Sequence, residues 1–314
     1  MKPKALFLST LTWMTLLTQT ALAGGVSGGG GGGAIVAPLA APSDIRWEST
    51  VAKRTLALLF NGMEYDYQIW KDVGKQSGEP DLRDPVFEKI FYGPRPILQV
   101  IREAKIELSF DGPCIAPDGS EVDGSAPGSS ADSICISIKR ISEKLRTDNF
   151  RSQTLALIAH EFSHLAGTDE TEAETLQTRA IERLFDTSDS EVEQLIDGSI
   201  SVIQLADAYA QQLLEESKSG TDLPKFCVFW AEVSRSLREL VDVRYWGPHG
   251  QLSLFDTTES SRVSATVRKA INLLNGVCVQ KAIAPDSDAF KSELRETARM
   301  IGERKQYLEA YFDI

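Results

Sequence analysis

Residues 160–170 read His160-Glu161-Phe162-Ser163-His164-Leu165-Ala166-Gly167-Thr168-Asp169-Glu170. In and just before this run, Leu155, Ile158, Phe162 and Leu165 recur at three- and four-residue spacing. That spacing predicts an α-helix with one apolar stripe turned to a core. At about 100° per residue, His160 and His164 project roughly opposite the stripe, one turn apart on a common face. Ala156 and Leu157 lie on or near the histidine side, so that side is expected to be apolar and partly buried at its start. Gly167 is a natural stop, because glycine takes the left-handed conformation without steric cost. A second helix is expected to follow, with Thr168 as N-cap and Ala173, Leu176, Ala180 and Leu184 as its apolar stripe.

Two histidines at positions i and i+4 of a helix can bring both imidazoles to one metal ion, and zinc is the ion this HExxH spacing suits. A glutamate directly after the first histidine is placed to touch a water on that metal rather than the metal itself. Only three histidines occur in 314 residues, and two of them stand in this pattern. Zinc lowers the pKa of a bound water to about 7, and a carboxylate beside that water can take its proton and later hand it to a leaving amine. Glu161 is the expected general base. A catalytic zinc site has three protein ligands and an open position. With no third histidine near, a carboxylate must complete the set. Projected on the second helix, Asp169 and Glu170 flank the apolar stripe, Glu174 lies further round and Glu172 points away. The expected ligands are His160, His164 and Glu170, with Asp169 and Glu174 as alternatives to the last.

The run also resembles the zincin metallopeptidases. His160-Glu161-x-x-His164-x-x-Gly167-x-x-Glu170 is similar to the extended metzincin pattern, with glutamate where that group has histidine or aspartate. Glu170-Thr171-Glu172-Ala173-Glu174 is similar to the glutamate-bearing second helix of gluzincins, whose first acid is the ligand. Both resemblances select Glu170. The insert before that glutamate is shorter than in gluzincins, and no Met-turn follows. The resemblance covers residues 134–185 and implies peptide hydrolysis by a zinc-activated water.

The N-terminus carries Lys2 and Lys4, a mostly apolar stretch from Ala5 to Leu17, and Ala21-Leu22-Ala23. This reads as a secretory signal over residues 1–23 and predicts an exported protein, periplasmic or extracellular. Residues 24–42 include six consecutive glycines and an Ala/Pro-rich run, the composition of a flexible linker. Removing Lys2 and Lys4 with the signal takes the formal charge from −12 to −14. An acidic chain without a basic run disfavours nucleic acid and anionic membranes as partners. No later stretch is long and apolar enough for stable membrane insertion. A protein or peptide substrate is the expected partner.

Four cysteines follow the signal, an even number suited to an oxidising compartment. Joining sequence neighbours gives Cys114–Cys135 and Cys227–Cys278. Residues 43–72 read as helical and 73–96 as loop. Ile106–Phe110 and Ile134–Ile138 alternate apolar and polar residues as two strands, with a long loop over 111–133 between them. The first bridge would staple these strands as a hairpin, and the second strand would be the exposed edge that pairs with an extended substrate. Beyond residue 186 the pattern is almost wholly helical, over 189–217, 225–244, 258–279 and 286–312. On a turn there, His249 or Tyr245 is a weaker candidate for stabilising an oxyanion, while Phe229 and Trp230 read as core.

Together these features predict an α+β fold that is mainly helical. It has a zincin-like core over 43–186, with a small sheet or hairpin above the histidine helix, and a helical lobe over 187–314. Two rival readings remain from the sequence. One is a zinc hydrolase of cell-wall cross-bridges. The other is a non-catalytic exported binding or assembly protein whose motif is vestigial or only structural.

Overall fold

The computed structural model describes residues 49–77, 84–127, 131–144, 147–184, 187–242, 244–247 and 250–313. The expected signal and linker lie outside the described residues. Helix α1 (Ser49–Ser77) is the centre of the packing and touches elements from both halves of the chain. From Thr55 to Glu64 every residue is buried, so this helix has no solvent face through its middle. A helix buried all round belongs to the interior of a domain. Leu56, Leu59, Phe60 and Met63 on α1 share one apolar cluster with Phe162, Leu176, Ile203, Trp230, Ile301 and Phe312.

The segment expected to be loop contains a helix, α2 (Pro85–Tyr92). Asp84 caps it by accepting from the amides of Val86 and Phe87, and Pro85 starts it. Proline at the first helical position costs nothing, because its missing N–H would have no partner there. A third helix, α3 (Ile97–Glu103), leads into strand β1 (Lys105–Ser109).

The two alternating segments do form strands, but they do not form a hairpin. Strand β1 runs parallel to β5 (Ser133–Ser137), in register from Lys105 opposite Ser133 to Ser109 opposite Ser137. The intervening chain makes a small hairpin, β2 (Cys114–Ile115) with β3 (Glu121–Val122). It then returns as β4 (Gly124–Ser125), antiparallel to β5. The sheet order is β1-β5-β4, so β5 is central, and β1 and the short β4 are its two edges. The expectation that β5 would be the free edge is thereby corrected: its two sides are both taken. A parallel pair needs a crossover connection, and the supposed long loop supplies it. Cys114 and Cys135 are bridged, tying the β2–β3 hairpin to the central strand.

Ile134 and Ile136 of β5 are buried and face the helices, among them α5 (Thr147–Leu165), which follows the short α4 (Ile138–Lys144). Next comes α6 (Glu170–Leu184), packed closely along α5. The remaining chain is α7 (Asp189–Glu216), α8 (Leu223–Asp242), α9 (Thr257–Leu274) and α10 (Asp288–Phe312). A π-helical turn, Asn275–Val279, ends α9 and contains Cys278, which is bridged to Cys227 of α8. Trp230 is fully buried, and its indole N–H donates to the Ala270 carbonyl at 2.9 Å. Among the described residues one non-helical element interrupts this half, the antiparallel pair β6 (Arg244–Gly247) and β7 (Gly250–Ser253). Strand β7 packs on α1. The fold is mainly helical α+β, and among the described residues no helix is long and apolar enough to cross a membrane.

Candidate metal centre

Helix α5 places its residues as its periodicity requires. Leu155, Ile158, Phe162 and Leu165 are fully buried, and His160 and Glu161 are nearly so. The helix stops where Gly167 adopts φ +95°, its amide donating to the His164 carbonyl at 3.0 Å. Thr168 then differs from its expected role as cap. Its hydroxyl turns back and donates to Ser163 Oγ at 2.9 Å, and Ser163 in turn donates to the His160 carbonyl at 2.7 Å. The residue that caps α6 is Asp169. Its Oδ1 accepts from the Glu172 amide and its own amide donates to Glu172 Oε2, both at 2.9 Å. This reciprocal pair satisfies two otherwise unpartnered amides.

That cap decides among the acids. Asp169 is occupied at the helix terminus. Glu172, besides completing the cap, binds Lys89 Nζ at 2.5 Å. Glu174 is exposed and outside the cluster. Glu170 turns to the histidines: its Oε1 lies 3.5 Å from His160 Nε2 and its Oε2 3.2 Å from His164 Nε2. The two Nε2 atoms are 3.1 Å apart, with the rings nearly perpendicular. His160, His164 and Glu170 form the only such group of three potential metal ligands among the described residues.

These distances suit a metal ion. A tetrahedral zinc with bonds of about 2.0–2.1 Å has ligand–ligand edges of about 3.3–3.4 Å, close to the three spacings here. The tautomer agrees as well. His164 Nδ1 lies 3.1 Å from the Thr168 carbonyl. A carbonyl only accepts, so the proton belongs on Nδ1 and the Nε2 lone pair faces the other donors. His160 Nδ1 is buried with no partner at hydrogen-bond geometry, although the Gln177 side chain and the Ala173 backbone lie nearby. Burial, and then the neighbouring His164, hold the His160 pKa below its usual value, which favours the neutral ring that can ligate. The Glu170 side chain is 67% exposed, so solvent reaches this cluster from the α6 side.

Glu161 faces a different element. Its carboxyl group packs beneath β4, against Gly124 and towards the backbone amide of Ala126. Burial, with the nearby Glu170 adding to it, pushes its pKa up to about 8. Among the described residues no cation lies within ion-pair distance of it. A buried acid without a cation, beside a second acid, marks functional sites more than structural ones.

Reading the sequence did not reveal Gly124 and Ala126 as part of this site. They fall in a stretch of Gly, Ser, Pro and Asp, and a two-residue strand is too short to show a period. The Thr168 carbonyl was also missed, since a backbone acceptor has no side-chain signature. His249 lies outside the described residues, and so does the side chain of Tyr245. No protein-family model matches the chain, and neither does any curated protein or solved structure.

Proposed function

We propose that the protein is a zinc-dependent peptide hydrolase acting outside the cytoplasm. The observation that carries the reading is the convergence of His160 Nε2, His164 Nε2 and one Glu170 carboxylate, with the buried Glu161 carboxyl group near enough to Glu170 to feel its charge. His160, His164 and Glu170 would hold the zinc. When bound there, zinc supplies a Lewis acid that polarises a carbonyl and acidifies water. The chain does the rest. Thr168 keeps the His164 ring turned by accepting from Nδ1. Glu161, shielded under β4, takes a proton from the attacking water and returns it to the amine that leaves.

Strand β4 supports a peptide as the substrate. It is one of the two edges of its sheet, antiparallel to β5, and the edge that lies over the helix that carries Glu161. An extended peptide can add to such an edge through backbone hydrogen bonds. Two disulfides fit an oxidising compartment, in agreement with export.

Metal analysis and turnover of the full chain and of Glu161→Gln test the reading. Both proteins are expected to hold one zinc per chain. Hydrolysis of casein or of a mixed peptide library should fall by about 10²–10⁴-fold in the variant. No bound zinc in the wild type, or equal turnover by the two proteins, would refute it.

A further inference from the structure

Gly124 has no backbone reason to be glycine. Its φ is not in the left-handed region, in contrast to Gly119, Gly167 and Gly220. It stands opposite Ile136 across the β4–β5 pair and therefore points to the same face, towards α5. A Cβ built on it would lie 2.6 Å from Glu161 Oε1 and 3.1 Å from both Cδ and Cγ of that residue. All three of its nearest atoms belong to Glu161.

The strand cannot retreat from such a clash. The Ser137 amide donates to the Asp123 carbonyl at 2.7 Å. The Asp123 side chain is buried and bound by Arg140 at 2.8 Å and Lys144 at 2.5 Å. On the outer face, the Ser125 hydroxyl donates to the Ile115 carbonyl, and the β2–β3 hairpin is bridged to β5. With β4 held on both sides, the side chain has to yield rather than the strand.

We propose that Gly124 is a positioning residue for Glu161, its missing side chain forming the slot that sets where the carboxylate sits. This rests on Glu161 being the general base. The slot is distinct from the metal ligands, since none of the three atoms nearest a Cβ at Gly124 belongs to His160, His164 or Glu170. A displacement of the order of 1 Å at a catalytic group can cost about 10²-fold in rate.

The test is a cycle of Gly124→Ala, Glu161→Asp and the double variant in the full chain. Gly198→Ala serves as control, since a Cβ there would meet nothing within 4 Å. Gly124→Ala is expected to lower the thermal midpoint of the zinc-stripped protein by about 2–6 °C, the usual result of overpacking in a chain of this size. In the Glu161→Asp background, one methylene shorter, the same substitution should cost less than half of that. Zinc affinity, read by chelator competition, should stay within about threefold of wild type. For Gly124→Ala, kcat should fall at least tenfold with KM little changed. Additive midpoints, unchanged kcat, or zinc affinity falling together with turnover would each overturn the slot. If Gly124→Ala fails to fold, recovery in the double variant supports the proposal, and an unfolded double variant overturns it. The midpoint cycle needs no turnover, so it stands or falls apart from the peptidase reading.

Discussion

Two of the buried glutamates among the described residues have opposite surroundings. Glu259, in the first turn of α9, is 1% exposed and meets Arg304 of α10 at 2.8 Å and Arg262 at 3.4 Å. Glu161 is 5% exposed and, among the described residues, has no cation within ion-pair distance; a strand backbone lies above it and Glu170 near it. Burial raises the pKa of both, but for Glu259 the two arginines oppose the shift. Burying a charge is costly unless it is paired. At Glu259 the pairing turns that cost into a tie between α9 and α10. At Glu161 no arginine offsets that cost, as its proposed role as general base would require.

The largest test of this contrast removes the partner. Arg304→Met leaves Glu259 buried with Arg262, at 3.4 Å, as its remaining cation, and should still lose about 3 kcal/mol in urea unfolding. Glu161→Gln replaces an acid that burial already holds towards its neutral form, and in the zinc-stripped protein should lose less than about 1 kcal/mol or gain stability. If the glutamine variant proves as damaging as the methionine one, Glu161 is a structural acid and the contrast fails.

Metal is the next lever, because only one of the two regions offers ligands. Zinc at a hundredfold excess over its dissociation constant should stabilise the folded chain by about 2.7 kcal/mol, since it binds the folded form. Glu170→Gln and His164→Ala should abolish that increment. Arg304→Met should keep it in full while starting from a lower baseline. An increment that survives His164→Ala would place the ion elsewhere.

How much of this could be read from the chain alone depends on how each feature is encoded. The helix stripes were legible because side chains report a period: Leu155 to Leu165 and Ala173 to Leu184 are buried where their spacing puts them. The α2 helix was present as Asp84-Pro85, a cap followed by a proline start. The surrounding Pro, Gly and charged residues obscured it. The strand direction was not legible. Alternation in Ile106–Ser109 and Ile134–Ser137 fixes which face each residue takes, but nothing in it distinguishes a parallel from an antiparallel partner. The cap of α6 was misassigned by one residue because Thr168 and Asp169 are both good N-caps. The choice fell to the Glu172 carboxylate, which reaches Asp169. At the site the ligands carry side-chain signals. The slot at Gly124 is defined by a missing side chain and becomes visible only when Glu161 is seen to occupy it.

A third buried glutamate, Glu64 on α1, falls between the two extremes and gives the finest test. It has donors but no cation among the described residues. The Tyr92 hydroxyl and the Thr257 hydroxyl each lie 3.1 Å from Oε1, and the Thr257 amide reaches Oε2 at 3.3 Å. Burial, followed by the charge of Asp256, holds its pKa above the usual carboxylate range despite those donors. An acid whose folded pKa is raised adds stability while it is protonated, below its unfolded pKa, and loses that contribution as pH climbs through the folded value. Urea midpoints of the wild type should therefore carry a declining component from about pH 4.5 upward. In Glu64→Gln that component should be absent, so the two curves converge or cross as the medium becomes neutral. The effect should be smaller than that of Arg304→Met, because the hydroxyl and amide donors already compensate part of the charge. Parallel curves over the whole range would mean that hydrogen bonds alone satisfy a buried carboxylate as well as arginines do. The bare surroundings of Glu161 would then be a difference of degree, not of kind.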